Sequence, residues 1–243
     1  MNDKKNISVC FTADQFHKFS DGSSTVVVVD ILRATTVIST AFMEGVEAII
    51  PVKSLDMAIS YQAKEGYIVA AERNAKLIEG FTFGNSPFHY INSDVKGKVL
   101  VLTTTNGTKA IHNAKDHKVI TASYLNIDVI SEYLIEDFND VIILCSGWKG
   151  FFNLEDPIFA GSLSKILLAS NKFKSKCDSL FASTELLENA GDNLFEYLSK
   201  SSHRRRLKSL NMEEDTRYCL SPTDKSDIIP ILDGDRLVPL KWD

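Results

Sequence analysis

Four consecutive valines at positions 26–29, followed at once by Asp30, constrain the fold more than any other stretch of this sequence. β-branched residues favour strands, and a continuous apolar run is typical of a strand buried on both faces. Such strands belong to parallel sheets that helices cover on both sides. Asp30 therefore stands at the end of a core strand, with Arg33, Thr35 and Thr36 shortly after it. These polar residues either cap the next helix or form one side of a site for phosphate and metal.

The alternation of short β-branched runs with helical patterns continues for much of the chain. Strands are predicted at 25–30, 47–52, 67–72, 98–104, 118–123 and 140–147, and helices at 34–45, 54–66, 106–115, 125–136 and 155–170. Ser54 is the expected N-cap of helix 54–66, and Gly66 marks its end. The alternation predicts an α/β fold of three layers, α/β/α, with a largely parallel and possibly mixed central sheet.

The C-terminal third, about 172–243, is less regular. Residues 179–199 predict a helix with a break at Gly191, and residues 200–211 predict a basic helix. The tail ends in two short apolar pieces, "DIIPIL" and "RLVPL", which are predicted to be edge strands. Because no repeat, low-complexity tract or linker divides the chain, we expect residues 1–243 to form a single domain with the C-terminal third packed onto the sheet.

Charge and cysteine usage exclude several classes of protein. The net charge of −5 argues against nucleic acid as a partner, because binding it needs a basic surface. The short basic run at 203–206 is interpreted as a solvated helix face. Four cysteines without CxxC spacing fit a reduced, cytoplasmic chain. No apolar run approaches the roughly 18 residues of a spanning helix, so no membrane partner is expected.

Polar residues gather where four of the predicted strands end. Ligands of parallel α/β sheets bind at the carboxyl ends of the strands. These ends present Asp30, Arg33, Thr35 and Thr36; Glu72, Arg73 and Asn74; Thr103, Thr104, Thr105, Asn106 and Gly107; and Cys145, Ser146 and Gly147, with Asn153, Glu155 and Asp156 after them. Each group alone has a capping or turn explanation, which would leave an α/β scaffold of unrelated function.

Taken together, these residues predict metal-assisted phosphoryl transfer. A phosphate among Asp30, Glu72 and Asp156 needs a cation between it and the carboxylates. Carboxylate oxygens with a phosphate co-ligand describe a Mg²⁺ site, and no His/Cys cluster competes for a softer metal. Hydroxyls and N–H groups of 103–107 suit phosphate oxygens, and arginine recognises phosphate in a bidentate manner.

Familiar phosphatase designs do not fit this pattern. A haloacid-dehalogenase phosphatase needs a second aspartate two residues after the first, where this chain has Leu32. The cysteine-based phosphatase loop needs an arginine after Cys145, where this chain has Phe151. No GxxxxGK[ST] loop is present, which argues against an NTPase.

Four motifs in order give the chain a family resemblance: "DILRATT" at 30–36, "ERNAKLIEGFTFGNSP" at 72–87, "TTTNGT" at 103–108, and "LED" with "AG" within 154–161. They resemble the 2-phosphosulfolactate phosphatase (ComB-like) family. The likeness continues through "SSHRRRL" at 201–207 and through Asp215, and it covers about residues 8–240. It implies a three-layer α/β fold and Mg²⁺-dependent hydrolysis of a phosphate ester on the 2-hydroxyl of a small carboxylic acid. This activity is best known from coenzyme M biosynthesis.

The resemblance and the strand-end argument together predict three groups of site residues. The catalytic group is Asp30, Arg33, Glu72, Arg73 and His203; the substrate- and phosphate-binding group is Thr35, Thr36, Asn85, Thr104, Thr105, Asn106 and Gly107; and the Mg²⁺ ligands are drawn from Asp30, Glu72, Glu155 and Asp156. The attacking group is either water activated by the metal or an aspartate that forms a phospho-enzyme. The expected partner is a small phosphorylated carboxylic acid, and a homodimer is the expected assembly.

One departure from the family pattern supports a different class of function. The family's basic residue near position 151 is replaced by Phe151 and Phe152, with Lys149 close by. Loss of that cation makes a non-catalytic phospho-metabolite binding or regulatory protein conceivable on the same scaffold. The joint presence of Asp30, Glu72 and Asp156 argues against this alternative, because a pure phosphate binder gains nothing from three nearby acids.

Overall fold

The structure is a computed structural model that describes residues 4–73 and 76–242, without the side chains of Arg73 and Lys76. Within these residues, eleven strands form one sheet in the order β5-β4-β6-β3-β11-β10-β7-β2-β8-β1-β9. The strands are β1 (Lys5–Cys10), β2 (Thr25–Val29), β3 (Ala48–Pro51), β4 (Tyr67–Arg73), β5 (Lys76–Leu77), β6 (Val99–Thr103), β7 (Lys118–Ala122), β8 (Val141–Cys145), β9 (Phe173–Lys174), β10 (Ile228–Asp233) and β11 (Arg236–Lys241).

The sheet consists of two parallel blocks joined by an antiparallel hairpin. Strands β7, β2, β8, β1 and β9 form one parallel block, and β4, β6 and β3 form the other. The hairpin β10–β11 lies between them and meets each block at one register pair, Ile231 with Ile120 and Leu237 with Ile49. The prediction of an α/β fold with a largely parallel, mixed sheet is confirmed.

Helices pack on both faces of this sheet. They are α1 (Ala34–Met43), α2 (Leu55–Ile59), α3 (Gly107–Ala114), α4 (Ile127–Glu136), α5 (Glu155–Ala169), α6 (Asp178–Ala190), α7 (Leu194–Tyr197), α8 (Ser202–Ser209) and α9 (Glu213–Leu220). Val27 and Val29 belong to the buried cluster that includes α4 and α5, whereas Val26 and Val28 belong to the cluster that includes α1 and α3. Strand β2 is therefore buried on both faces, as its four valines predict.

The prediction of edge strands near the C-terminus is wrong. The two pieces form β10 and β11, which lie in the middle of the sheet. Pro230 and Pro239 are register partners, and since neither has an N–H group they cannot hydrogen-bond to each other. Because proline has no N–H group, neither residue can donate a hydrogen bond to a neighbouring strand. The prolines explain why the hairpin meets its neighbours so briefly without being at an edge.

Further elements differ from the sequence prediction, which did not include strands β1, β5 and β9 or helix α9. Strand β1 was not predicted, because its apolar residues Ile7, Val9 and Cys10 are interrupted by polar ones. Helix 54–66 is reduced to α2, in which only Ala58 is buried, and turns follow it. The Ser54 hydroxyl accepts a hydrogen bond from Met57 N at 3.2 Å, which confirms the N-cap.

The C-terminal third shares the core of the first block. The break at Gly191 and the basic helix are confirmed, as α6 ends before Gly191 and α8 covers most of 200–211. Leu180, Leu198 and Leu207 belong to the same buried cluster as Val27. None of the helices in the described ranges is long and apolar enough to cross a membrane.

Candidate active site

One cleft collects side chains from the ends of β2, β4 and β6, from the loop after β8, and from α8. It is lined by Asp30, Leu32, Arg33, Glu72, Asn85, Thr104, Thr105, Asn106, Trp148, Lys149, His203, Arg206 and Leu207. Eight of these residues belong to the predicted catalytic and substrate-binding groups. The strand-end argument therefore identifies where the polar residues converge.

Asp30 is held at the mouth of β2 by the start of α1. Its side chain is 6% exposed, and Ala34 N donates to its Oδ1 at 3.4 Å. Burial raises the pKa of Asp30 to about 6, although the neighbouring His203 and the Ala34 N–H lower it, and Glu72 raises it further. A Cβ atom on Gly107 would lie 2.9 Å from Asp30 Oδ2, so only glycine at that position leaves room for the carboxylate.

Thr35 and Thr36, both predicted to bind phosphate, do not line the cleft. Both are fully buried, and their hydroxyl groups bond the backbone just before α1. Thr35 Oγ1 accepts from Asp30 N at 3.1 Å, and Thr36 Oγ1 donates to Ile31 O at 3.1 Å. The structure thus gives these threonines a different task, which is to fix the backbone that presents Asp30.

The second carboxylate of the cleft is Glu72, at the end of β4. It is 6% exposed, and Thr105 Oγ1 donates to its Oε1 at 2.9 Å. Arg73, the predicted catalytic arginine next to it, has its side chain outside the described residues, and Asn74 lies outside them altogether. Asp30 and Glu72 therefore form the acidic side of the cleft.

The N-terminus of α3 forms the neighbouring wall. Thr104 Oγ1 accepts a hydrogen bond from Thr108 N at 3.2 Å, and Asn106 Oδ1 accepts one from Lys149 N at 2.9 Å. These bonds fix the start of the helix and fasten the loop after β8 to it. A helix N-terminus with adjacent hydroxyls is a favourable place for phosphate oxygens.

Arg33 is fixed by a buried ion pair that the sequence did not predict. Its guanidinium, 3% exposed, pairs with Asp215 of α9. Asp215 also accepts a hydrogen bond from Ser86 Oγ at 3.0 Å. A single carboxylate thus ties two walls of the cleft to α9.

Asn85 is presented to the cleft by a loop that is fixed on both sides. Gly84 N donates to His89 Nδ1 at 2.9 Å, and Tyr90 Oη donates to Gly84 O at 2.9 Å. The Asn85 side chain is 9% exposed, and its Oδ1 has no hydrogen-bond partner among the described residues. The buried amide is available to a ligand, as the prediction of a substrate contact requires.

Asp156, a predicted Mg²⁺ ligand, lies beneath the cleft with both oxygens occupied. Oδ1 accepts from Ile31 N at 2.9 Å, and Oδ2 accepts from Ser146 Oγ, Gly147 N and Asn153 Nδ2 at 3.1, 3.3 and 2.8 Å. Burial raises the pKa of Asp156 well above its ordinary value, and nearby Asp30 and Glu155 raise it further. Its contacts join the loop after β2 to the loop after β8.

Glu155, the other predicted ligand on α5, contacts α8 instead of the acidic side of the cleft. Its Oε1 lies 2.7 Å from His203 Nδ1, and its Oε2 accepts from Ser201 Oγ at 3.2 Å. The carboxylate is 1% exposed, whereas His203 lines the cleft. The structure therefore pairs Glu155 with the predicted catalytic histidine.

Trp148, Lys149 and Arg206 form the cationic end of the cleft. Trp148 stacks on His203 with ring centres 6.1 Å apart and an interplanar angle of 21°. Arg206 and Lys149 lie 5.5 and 5.4 Å from the Trp148 ring centre. Phe151 is 73% exposed and does not line the cleft. Lys149 and Arg206 therefore supply positive charge to the cleft although position 151 carries no basic residue.

Sequence reasoning missed Trp148, Arg206 and Asp215 as site residues. Arg206 belongs to the basic run that was interpreted as a solvated face. That interpretation is wrong for His203 and Arg204, which are 9% and 6% exposed. The signal that could have found Arg206 is its spacing three residues after His203, which places both on one side of a helix.

Two acidic side chains of this cleft, Asp30 and Glu72, have the oxygen ligands that a divalent cation such as Mg²⁺ prefers. Among residues 4–73 and 76–242, no group of three or more histidine, cysteine or acidic side chains is arranged to hold a metal. Mg²⁺ is commonly held by one or two carboxylates, with substrate phosphate and water as its other ligands. Asp30 and Glu72 line the cleft and have the chemistry of such ligands, whereas Asp156 and Glu155 do not line it.

Comparison with known proteins gives a consistent match over most of the chain. A family model described as 2-phosphosulpholactate phosphatase matches residues 10–235. Proteins named probable 2-phosphosulfolactate phosphatase are similar to the chain. The one from Thermotoga maritima is 40% identical over 195 residues, which are 80% of this chain and 83% of the relative. The one from Caldanaerobacter subterraneus subsp. tengcongensis is 38% identical, over 85% and 87%. The one from Clostridium novyi is 37% identical, over 92% and 95%.

Proposed function

We propose that this chain, which belongs to the 2-phosphosulpholactate phosphatase family, hydrolyses the phosphate ester of a small 2-hydroxycarboxylic acid in a Mg²⁺-dependent reaction. The substrate is 2-phosphosulfolactate or a close analogue, and the products are the 2-hydroxy acid and phosphate. The observation that carries the proposal is one cleft in which two buried carboxylates, Asp30 and Glu72, face the N-terminus of α3.

The acidic side of the cleft suits a cation, and the wall beside it suits a phosphoryl group. Asp30 and Glu72 would hold Mg²⁺, which when bound acts as a Lewis acid on the phosphoryl group. Thr104, Thr105 and the first N–H groups of α3 hold the phosphoryl oxygens. Arg33, fixed by Asp215, balances charge that develops on these oxygens.

The cationic end of the cleft suits the acid group of the substrate. Lys149 and Arg206 both lie beside Trp148. They belong to the loop after β8 and to α8, whereas Asp30 and Glu72 belong to the ends of β2 and β4. A phosphorylated 2-hydroxy acid carries a second anion close to its phosphate. Cations beside Trp148 would hold the acid group of such a substrate and leave its phosphate for the N-terminus of α3.

The test is a phosphate-release screen on the purified chain. It compares 2-phosphosulfolactate, 2-phospholactate and 2-phosphopropanol, the last lacking the acid group, with Mg²⁺ and with EDTA. We expect release that needs Mg²⁺ and favours the two acids over the ester that lacks the carboxylate. Release that EDTA does not reduce would contradict the metal requirement. Tight binding without release under any divalent metal would favour the metabolite-binding alternative.

Three further expectations stay predictions. Homodimer assembly is measured by light scattering on the purified chain. Cytoplasmic location is measured by cell fractionation. A place in coenzyme M biosynthesis is measured by the loss of that product when the gene is deleted.

A further inference from the structure

We propose that His203 is the general acid that protonates the leaving oxygen of the substrate, and that Glu155 is the positioning residue that orients its ring. This inference rests on the proposed function and adds to it the source of the proton. The observation behind it is a histidine that lines the cleft with one ring nitrogen, Nδ1, held by a buried carboxylate at 2.7 Å.

The ring of His203 is fixed by contacts on two sides. Glu155, the first residue of α5, holds Nδ1, and Ser201 Oγ fixes the other oxygen of that carboxylate at 3.2 Å. Trp148 stacks on the ring, with an interplanar angle of 21°. A histidine held at Nδ1 in this way has its Nε2 on the opposite side of the ring, where it can carry a proton toward a ligand.

Nε2 is the nitrogen left for the substrate. It makes no hydrogen bond to any residue that the structure describes, while Nδ1 is engaged. The arginines of the cleft stay protonated in all ordinary conditions, so they do not serve as proton donors. Of the lining side chains in the described ranges, His203 is the imidazole, the side chain that most often serves in general acid–base catalysis.

The reaction needs such a donor because its leaving group is basic. When the ester P–O bond breaks, its electron pair remains on the 2-oxygen of the hydroxy acid. That oxygen takes the Nε2 proton of His203 and leaves as the free alcohol. The attacking oxygen forms the new P–O bond, and the proton that the attacking water finally gives up restores His203. General acid catalysis of this kind contributes typically about 10²–10⁴-fold to the rate.

Two other roles for His203 are compatible with its position. The basicity of the leaving oxygen distinguishes them from general acid catalysis. A histidine that only binds phosphate, or only caps the contact between α5 and α8, contributes equally to every ester. A general acid matters most when the leaving oxygen is strongly basic. A matched pair of substrates, 2-phospholactate and 3,3,3-trifluoro-2-phospholactate, keeps the acid group and the ester position. The fluorines lower the basicity of the leaving alkoxide.

The experiment measures kcat for both esters in wild type, His203→Gln, Glu155→Gln and the control His17→Gln, which alters an exposed histidine that does not line the cleft. With 2-phospholactate we expect losses of about 10²–10⁴-fold for H203Q. For E155Q, a loss of about 10–100-fold is expected. With the trifluoro ester both losses should shrink by about tenfold or more, and H17Q should match wild type with both esters.

Equal losses with the two esters would overturn the general-acid role of His203. Circular dichroism of each variant shows whether it is folded, and the ratio of the two rates within one variant is independent of the amount folded. If wild type releases no phosphate from any 2-phospho acid, the proposed function fails, and the inference falls with it. If wild type is active and the variants lose rate equally on both esters, the inference alone fails.

Discussion

Asp30 shows how a single residue can be placed for chemistry at a cost in stability. The fully buried strand β2 carries it to a buried position, where the Ala34 N–H donates a hydrogen bond to its carboxylate. Burial shifts its pKa from 3.8 to about 6. The folded protein therefore binds more protons than the unfolded chain between these values, and it loses stability as the pH rises through them.

Replacing Asp30 with asparagine should stabilise the protein above pH 6. Asparagine keeps the shape of the side chain without the buried charge. In EDTA at pH 8, the free energy of unfolding of D30N should exceed that of wild type by up to about 3 kcal/mol. The difference should shrink as the pH falls below about 6. Urea unfolding at several pH values measures it, with the exposed Asp192→Asn as control. A D30N protein less stable than wild type at pH 8 would contradict the assigned burial cost.

Position 107 leaves room only for glycine. A Cβ atom there would lie 2.7 Å from Ala34 Cβ and 2.9 Å from Asp30 Oδ2. Gly107→Ala should destabilise the protein by about 1–3 kcal/mol and displace Asp30, which should lower phosphate release at least tenfold. Lys115→Ala, at the exposed end of α3, is the control and should retain wild-type values. Wild-type activity in G107A would show that the carboxylate does not need its present position.

At the scale of elements, α5 is positioned by its close approach to α6. A Cβ atom on Gly161 would lie 2.3 Å from Ser183 O, so the two helix backbones are nearly in contact. The first turn of α5 carries Glu155 and Asp156, which join α8 and the loops after β2 and β8. A helix outside the cleft thereby sets the position of the residues beneath it.

Gly161→Ala should push α5 away from α6. We expect a loss of at least about 1–3 kcal/mol in the free energy of unfolding, because backbone atoms cannot yield as a side chain does. The control Lys165→Ala, on the exposed side of the same helix, should change stability by less than about 0.5 kcal/mol. Thermal and urea unfolding of both variants measure the difference. Equal stability of G161A and K165A would mean that the helices are free to separate.

The elements that the sequence predicted best are those with long, regular patterns. The apolar spacing of α4 and α5 and the continuous runs of β2 and β8 predict these elements directly, because local pattern and burial agree. Strand β1 was not predicted because polar residues interrupt its apolar ones and because its partners, β8 and β9, lie more than 130 residues away. Pairing over such distances leaves no local signal in the sequence.

Contacts between residues that are distant in sequence also limited the prediction of the site. Glu155 and Asp156 share the sequence pattern of cleft acids, yet His203, Ser201 and the loop before α5 engage their oxygens. The identity of a carboxylate's partner depends on tertiary contacts that motif spacing does not encode. Asp30, Glu72 and 104–106 were identified because they directly follow recognisable strands.

At the scale of the whole molecule, the site depends on how the two parallel blocks meet. Three antiparallel steps separate β3 from β7, so along the ladder the blocks run in opposite directions. The end of β2 nevertheless contacts the residue that opens α3, after β6. The two blocks thus contribute neighbouring parts of one cleft although their strands run in opposite directions.

Groups of different chemistry from the two blocks meet in one cleft. The block containing β2 contributes Asp30 and Arg33, and the block containing β4 and β6 contributes Glu72 and 104–106. The central claim is that these groups form a Mg²⁺-dependent phosphatase site. It requires that the carboxylates from both blocks contribute to one reaction.

The most direct test is the rate of phosphate release from 2-phosphosulfolactate, measured across a Mg²⁺ titration for wild type, Asp30→Asn and Glu72→Gln, with Asp192→Asn as control. Wild type and D192N should show the same Mg²⁺-dependent release. D30N and E72Q should each remain folded, require more Mg²⁺, and lose at least about 10²-fold in rate. Release by D30N at the wild-type rate, with an unchanged Mg²⁺ requirement, would contradict the account.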